Sequence, residues 1–122
     1  MTTLLHGEIT DVILRCYFEV YNELGPGFLE SVYKKALCIA INDAGMKTIA
    51  EKELSVSFRG HDVGVFRADL IVDDKVVVEL KAARAMERQF EAQLINYLKA
   101  SQMEVGLVLN FGPKAEFRRI VV

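Results

Sequence analysis

Residues 67–82, RADLIVDDKVVVELKA, consist of two apolar runs on either side of an Asp-Asp pair. Acidic pairs of this kind mark turns, so the stretch predicts two antiparallel strands joined as a hairpin. Side chains alternate between the faces of a strand, which places Glu79 and Lys81 on one face and Leu80 on the other. Two full charges in an otherwise apolar strand require an explanation.

A third charge in this hairpin is Asp69, on the first strand. Two registers are open: one sets Asp69 beside Val78, and the other sets it beside Glu79, with both carboxylates on the same face. Directly opposed side chains have Cβ atoms about 4.5 to 5.5 Å apart, where like charges are destabilising unless a cation lies between them. Mg²⁺ prefers such oxygen ligands, and Lys81 would lie close enough to hold a bound water or an incoming phosphate.

The same charges can also be interpreted as ordinary surface residues. Antiparallel strands often turn one face to solvent, and Asp69 could then pair with Lys81 or Arg67. The hairpin pattern alone favours this solvated face over a metal site. Residues outside the hairpin bear on the choice.

Length and composition predict a single domain over residues 1–122. A chain of 122 residues buries roughly two thirds of its unfolded surface and can form a core without disulfide or metal staples. Hydrophobic residues make up 52% of the chain, which leaves apolar surface that a homodimer could cover. The net charge of -2 gives no overall basic field for nucleic acid, although a local charged groove is compatible with it.

Cysteine usage and hydropathy predict a soluble, cytoplasmic protein without a membrane span. Cys16 and Cys38 lie in apolar, helix-like segments without metal-site spacing, so we expect buried thiols in a reducing compartment. The beginning of the sequence has no signal-peptide pattern. No apolar run approaches the roughly 20 residues that a membrane helix needs.

The remaining segments alternate between helical and strand patterns. Apolar residues recur at helical spacing over 9–24, and again between the Gly-Pro-Gly of 25–27 and Gly45. The predicted order is α, α, β, β, β, α, β, β, with strands near 52–58, 63–72, 75–82 and 105–111, a third helix over 85–101, and a closing strand in FRRIVV.

The hairpin resembles the two-strand core of the PD-(D/E)XK nuclease superfamily, in which an aspartate, here Asp69, is followed by Glu-x-Lys, here Glu79 to Lys81. A second motif, GFLESVY at 27–33, matches the Gly-x-x-Glu-x-x-Tyr signature of the GxxExxY protein family within that superfamily. The resemblance continues through AQLINYLKA, VGLVLNFG and the final RRIVV, and so covers nearly the whole chain.

This resemblance implies an α+β fold with a restriction-endonuclease-like core, in which helices flank a mixed central sheet of about four to five strands. It also implies a metal, Mg²⁺ with Mn²⁺ as a substitute, held by Asp69, Glu79 and the backbone carbonyl of Leu80. Lys81 would activate water or stabilise charge, and Glu30 would be an additional acidic residue of the site.

Gln93 and Tyr97 resemble the Q-x-x-x-Y motif of the exonuclease-like branch of the superfamily. They are four residues apart on one helical face, and we expect Gln93 on the inward stripe, where an amide needs partners. Glu30 has an alternative role as an N3 glutamate of a helix that begins at Gly27, and without the family match this capping role is favoured. Tyr33 is predicted to be a core aromatic with a hydrogen-bonded hydroxyl.

The function implied is a Mg²⁺-dependent nuclease that hydrolyses phosphodiester bonds of nucleic acid, with DNA as the expected substrate. The alternative keeps the fold as a catalytically silent module that binds nucleic acid or a protein partner, which the small size and near-neutral charge favour. A small-molecule enzyme has no supporting motif, since neither a phosphate-cradling Gly-rich loop nor a Ser/His/Asp arrangement is visible.

Overall fold

A computed structural model describes residues 4–122 of the chain, which form three helices and five strands. The helices and strands follow in the predicted order: α1 Gly7–Leu24, α2 Glu30–Asp43, β1 Thr48–Phe58, β2 His61–Val72, β3 Val76–Lys81, α3 Arg88–Ser101, β4 Val105–Phe111 and β5 Ala115–Val121. β1 begins four residues before the prediction, because the segment after α2 already pairs with the end of β2, from Thr48 opposite Val72.

The five strands form one mixed sheet in the order β1-β2-β3-β4-β5. β3 and β4 are parallel and are connected through α3, whereas the other neighbours are antiparallel. All seven residues of β4 are buried, as expected for a strand covered on both faces. The prediction of an α+β fold with a mixed central sheet is confirmed.

Helices cover both faces of the sheet and divide the core into two clusters. On one face, α1 and α2 contribute side chains such as Tyr17 and Leu37, which pack with Leu70 and Val78 of the sheet. On the other face, α3 contributes its own apolar residues to a smaller cluster, with the following sheet residues: Phe66, Ala68, Ile71, Val77 and Val108. β3 therefore lies between two helical layers, and Glu79 shares a strand face with Val77, on the α3 side.

The alternation of side chains along β2 breaks at Asp69. A regular strand would place Ala68 and Leu70 on one face, but Ala68 packs in the α3 cluster and Leu70 packs under α1 and α2. The break coincides with a distortion of the neighbouring strand, where Glu51 has a left-handed φ of 55° between the pairs Ala50–Leu70 and Lys52–Ala68. The pairing of β2 with β3 also stops at Leu70, so Asp69 lies at a bend.

The loop between α1 and α2 is fixed by Tyr33. Its hydroxyl accepts a hydrogen bond from the Phe28 N–H at 3.1 Å and donates one to the Gly25 carbonyl at 2.6 Å. The ring is fully buried and stacks on Phe111 with a centroid distance of 4.1 Å. Gly27 has a φ of 108°, which L side chains rarely adopt. The prediction of a hydrogen-bonded core tyrosine is confirmed.

Within residues 4–122, no helix is both long enough and apolar enough to cross a membrane. Both cysteines are free thiols. Cys16 is buried as predicted. Cys38 is only partly buried, because it lies beside the buried stripe of α2 and lines a surface cleft.

Candidate functional site

Asp69 and Glu79 approach each other across the β2–β3 hairpin. The register pairs Leu70 with Val78, and this is the register that aligns Asp69 with Glu79 rather than with Val78. The Asp69 Oδ2 atom accepts a hydrogen bond of 2.8 Å from the backbone N–H of Leu80. One oxygen of the Asp69 carboxylate is thus fixed by the backbone of the strand that carries Glu79.

The Glu79 carboxyl lies in an environment that opposes its ionisation. The pKa of Glu79 is raised to about 8, chiefly by burial and next by the nearby negative charge of Asp69, while Lys81 acts in the opposite direction. Its Oε1 atom is buried and has no hydrogen-bond partner among residues 4–122. A buried carboxylate oxygen without a partner, next to a second carboxylate, fits the ligand set of a hard divalent cation. Leu80 follows Glu79 in β3, and its N–H is the donor that holds the Asp69 carboxylate.

Glu30 is not gathered with this pair into a cluster. Over the described part of the chain, no group of three or more His, Cys, Asp or Glu side chains is close enough to hold a metal ion. Glu30 is exposed at the first position of α2, and the N-cap residue is Leu29 rather than Gly27. The alternative role of Glu30 as an N3 glutamate is therefore wrong, because the helix begins later than Gly27 would set it.

Lys81 points toward α3, where a cleft of about 580 Å³ opens. Its ammonium lies 4.9 Å from the centre of the Phe90 ring, within the range of a cation–π contact. The cleft has a polar, mostly uncharged lining formed by these residues: Lys81, Gln89, Phe90, Ala92, Gln93, Asn96 and Tyr97. The Glu-x-Lys strand therefore ends at an open cleft large enough for a small ligand or a nucleotide.

Gln93 and Tyr97 are joined within this cleft. The Gln93 amide nitrogen donates a hydrogen bond of 2.9 Å to the Tyr97 hydroxyl, and the Tyr97 ring stacks on Phe66 with a centroid distance of 3.9 Å. The two residues share a helical face as predicted, but the inward position of Gln93 is wrong. Gln93 is exposed at the cleft, because the buried stripe of α3 runs through Leu94 and Leu98 instead.

Lys34 is a charged neighbour of this site that the sequence motifs do not include. Its ammonium lies 2.7 Å from Glu51 Oε1, and only 19% of its side chain is exposed. The hydrogen bond to Glu51 raises the pKa of Lys34, and the negative charge of Asp69 adds to this effect against the opposing effect of burial. No spacing in the sequence reveals this contact, since the three residues lie on α2, β1 and β2.

Asn110 is a second residue that the sequence-based site omitted. It is fully buried, its Oδ1 accepts a hydrogen bond of 2.9 Å from the Ala83 N–H, and its Nδ2 donates one of 3.1 Å to the Ala83 carbonyl. Asn110 stands beside Lys81 in the parallel β3–β4 pairing. Its amide thus anchors the segment that follows the Glu-x-Lys strand, and the available signal was one polar residue in the apolar run VGLVLNF.

The sequence of the chain matches a known protein family. The family model of the PD-(D/E)XK nuclease superfamily matches residues 7–120, and the three helices and mixed five-stranded sheet are consistent with its restriction-endonuclease-like fold. Ceruloplasmin of Ovis aries is 32% identical over 80 residues, which are 66% of this chain and 7% of that protein. The crystal structure of SSO0001 is similar with a TM-score of 0.48 and 18% identity, over 93% of this chain and 65% of that chain. The chain spans less than two thirds of the length of both proteins.

Proposed function

The chain belongs to the PD-(D/E)XK nuclease superfamily, and from this premise we propose that it is a Mg²⁺-dependent nuclease that hydrolyses phosphodiester bonds of DNA. Nucleases of the superfamily generally use divalent metal ions. The observation that carries the proposal is the buried Glu79 Oε1 atom, which lacks a partner among the described residues and lies beside Asp69. An ionised pair of carboxylates in this position is unfavourable unless a cation accompanies it.

The proposed ligands are Asp69, Glu79 and the carbonyl of Leu80, with Glu30 as an additional acidic residue and Mn²⁺ as a substitute ion. A bound Mg²⁺ supplies a Lewis acid that polarises the phosphate and lowers the pKa of a coordinated water. Glu79 must lose its proton before it can serve as a ligand. The Leu80 N–H holds the Asp69 carboxylate in place for this role.

Lys81, Gln93 and Tyr97 are the proposed substrate-side residues. The Lys81 ammonium shares a strand face with Glu79, and the Phe90 ring holds it at the mouth of the cleft. A cation at this position can stabilise the negative charge that develops on the phosphate. The Gln93–Tyr97 hydrogen bond fixes two polar groups in the same cleft, where they can orient the nucleotide next to the cleaved bond.

Further parts of the proposal concern the family branch and the assembly. We assign the chain to the GxxExxY family because Gly27 adopts a φ of 108° and Tyr33 secures the same loop. A single domain over 1–122 is proposed, in a reducing, cytoplasmic setting that the free thiols Cys16 and Cys38 support. A homodimer is proposed on the basis of exposed apolar side chains such as Leu29.

The test is cleavage of end-labelled DNA in Mg²⁺ by the parent, Asp69→Asn and Lys81→Met. Loss of a group that stabilises the transition state costs on the order of 10² to 10³ in rate, so we expect both variants to lose at least that much. Asp62→Asn, which removes an exposed carboxylate from the same strand as Asp69, should cleave like the parent. Parent-like cleavage by a folded Asp69→Asn protein would refute the assignment.

A second candidate function is a catalytically silent module that binds nucleic acid or a protein partner. One observation favours it: within residues 4–122, only two acidic side chains meet at the site, without a third. Mg²⁺ or Mn²⁺ that binds only the folded state raises the melting temperature. A rise in the parent that is absent in Glu79→Ala supports the nuclease, and no rise at millimolar metal supports the silent module.

A further inference from the structure

Glu51 departs from regular strand geometry in the middle of β1. Its φ of 55° is a left-handed value, which is unfavourable for a residue that carries a Cβ atom. In the described chain, five other non-glycine residues have left-handed φ values, and all of them lie in turns or at helix ends: His6, Arg59, Asp73, Asp74 and Gln102. Within those residues, Glu51 is the one that does so inside a strand, so a specific interaction must hold it there.

Glu51 lies across from Asp69, one of the proposed metal ligands. The flanking pairs are Ala50 with Leu70 and Lys52 with Ala68, and the position between them, Glu51 with Asp69, is not paired. This unpaired position is also where β2 changes the face to which its side chains point, and where Asp69 turns to accept the Leu80 N–H.

Lys34 connects this bend to the helical layer. It lies on α2, which is anchored in the core through Tyr33 and Leu37, and its ammonium reaches Glu51 Oε1 at 2.7 Å with 19% of the side chain exposed. This poorly hydrated cation contacts Glu51 and is also attracted by the nearby negative charge of Asp69. Its pairing with Glu51 also supplies the interaction that the left-handed backbone requires.

We propose that Lys34 is a positioning residue: its ion pair with Glu51 holds the bend of β1, and the bend directs the Asp69 carboxylate toward Glu79. The inference rests on the proposed function, because the direction of Asp69 matters for a cation shared with Glu79. It adds to that function a residue on α2 that contacts neither the ion nor the substrate. The family motif residues Gly27, Glu30 and Tyr33 do not include it.

The direction in which the cation affinity changes when Lys34 is removed distinguishes a positioning role from a purely electrostatic one. If Lys34 acted only through its charge, its removal would relieve repulsion of an incoming divalent cation, and the cation would bind more tightly. If Lys34 positions Asp69, its removal disturbs the ligand pair, and the cation binds more weakly. Loss of a group that orients a metal ligand typically costs about 10- to 100-fold in metal affinity.

The experiment measures Mn²⁺ affinity by titration calorimetry on the full chain after removal of metal with a chelator. We expect Lys34→Met to bind Mn²⁺ at least about tenfold more weakly than the parent. Lys34→Arg should recover to within about threefold, since a guanidinium also pairs with a carboxylate. Lys35→Met is the matched control, because it removes the same charge from an exposed neighbouring position on α2; its affinity should equal that of the parent.

A second variant tests the route through the bend. Glycine adopts the left-handed conformation without strain, so Lys34→Met combined with Glu51→Gly should recover Mn²⁺ affinity although the ion pair is absent. Should Lys34→Met fail to fold, the comparison of Glu51→Ala with Glu51→Gly replaces it, and only the alanine variant should bind weakly.

Parent-like or tighter Mn²⁺ binding by Lys34→Met, no recovery in the double variant, or equal affinity of the two Glu51 variants would overturn the inference. These outcomes leave the proposed function intact if Asp69→Asn still abolishes Mn²⁺ binding. Equal Mn²⁺ affinity of the parent and Asp69→Asn would instead overturn the metal site, and the positioning role with it.

Discussion

Replacement of Glu79 by glutamine should change how the stability of the metal-free protein depends on pH. The pKa of Glu79 is raised from its ordinary value of 4.5 to about 8, chiefly by burial. Between these two values, the folded chain holds a proton that the unfolded chain has lost. The stabilisation from this proton is therefore complete below pH 4.5 and is lost progressively as the pH rises through 8.

The size of this effect follows from the pKa shift. One pKa unit corresponds to about 1.4 kcal/mol, which sets an upper limit of about 5 kcal/mol for Glu79. Because Asp69 and Glu79 interact, and because the protein relaxes around a charge, we expect about 2 to 3 kcal/mol of the free energy of unfolding to be lost between pH 5 and about pH 8.5. Glutamine carries no titrating proton, so the variant lacks this loss.

Urea unfolding of the parent and of Glu79→Gln, in a chelating buffer at several pH values between 5 and 8.5, measures the difference. The variant should become more stable relative to the parent as the pH rises. Glu104→Gln, which removes an exposed carboxylate, is the control and should follow the parent. If the difference between the parent and Glu79→Gln stays constant across this range, Glu79 is not held protonated, and the reasoning is refuted.

Three further predictions concern metal binding, a buried amide and a glycine. Mn²⁺ should raise the melting temperature of the parent more at pH 8 than at pH 6, because binding displaces the Glu79 proton. It should leave the melting temperature of Asp69→Asn unchanged. Equal increases in the parent at both pH values would contradict this prediction. Asn110→Ala leaves the partly buried N–H and carbonyl of Ala83 without their partner and should lower the free energy of unfolding in urea by about 2 to 4 kcal/mol, so a loss below 1 kcal/mol would contradict the anchoring role. Gly27→Ala should lower the free energy of unfolding by about 1 to 2 kcal/mol. Gly64→Ala should be nearly neutral, because Gly64 has open space around it and no left-handed φ. Similar decreases in melting temperature for both variants would refute the claim that Gly27 is required for its left-handed backbone.

The order of elements and the position of the hairpin turn were predictable because the signals behind them are local. The Asp73–Asp74 turn is visible in the sequence, and both residues adopt a left-handed φ. Side chains of a strand alternate between its two faces, so the faces of the β3 residues follow once the strand is located. The shared face of Glu79 and Lys81 required nothing beyond this alternation. The position of the turn left two registers open, and the pairing of Leu70 with Val78 selects the one that aligns Asp69 with Glu79.

The bend in β2 was not predictable, because its causes lie on other elements. The sequence around Asp69 has the pattern of a regular strand, whereas the distortion involves Glu51 on β1 and Lys34 on α2. A glutamate in a sequence does not indicate a left-handed backbone conformation, whereas a glycine or an asparagine does. The exposure of Gln93 was missed for a related reason: successive helical residues are about 100° apart, so a neighbour of the buried Leu94 can lie at the edge of the stripe.

The departures from local rules in this chain converge on one place. Glu51 has a left-handed backbone inside a strand, Asp69 lies beside the Glu79 carboxyl, and Glu79 buries an oxygen without a partner among the described residues. Each of these features lowers stability, and a chain selected for stability alone would not place them side by side. They are tolerated because Lys34 and the Leu80 N–H hold the bend and Asp69 in place. Concentrated strain with dedicated support is typical of a functional site, and here it coincides with the hairpin that carries the family motif.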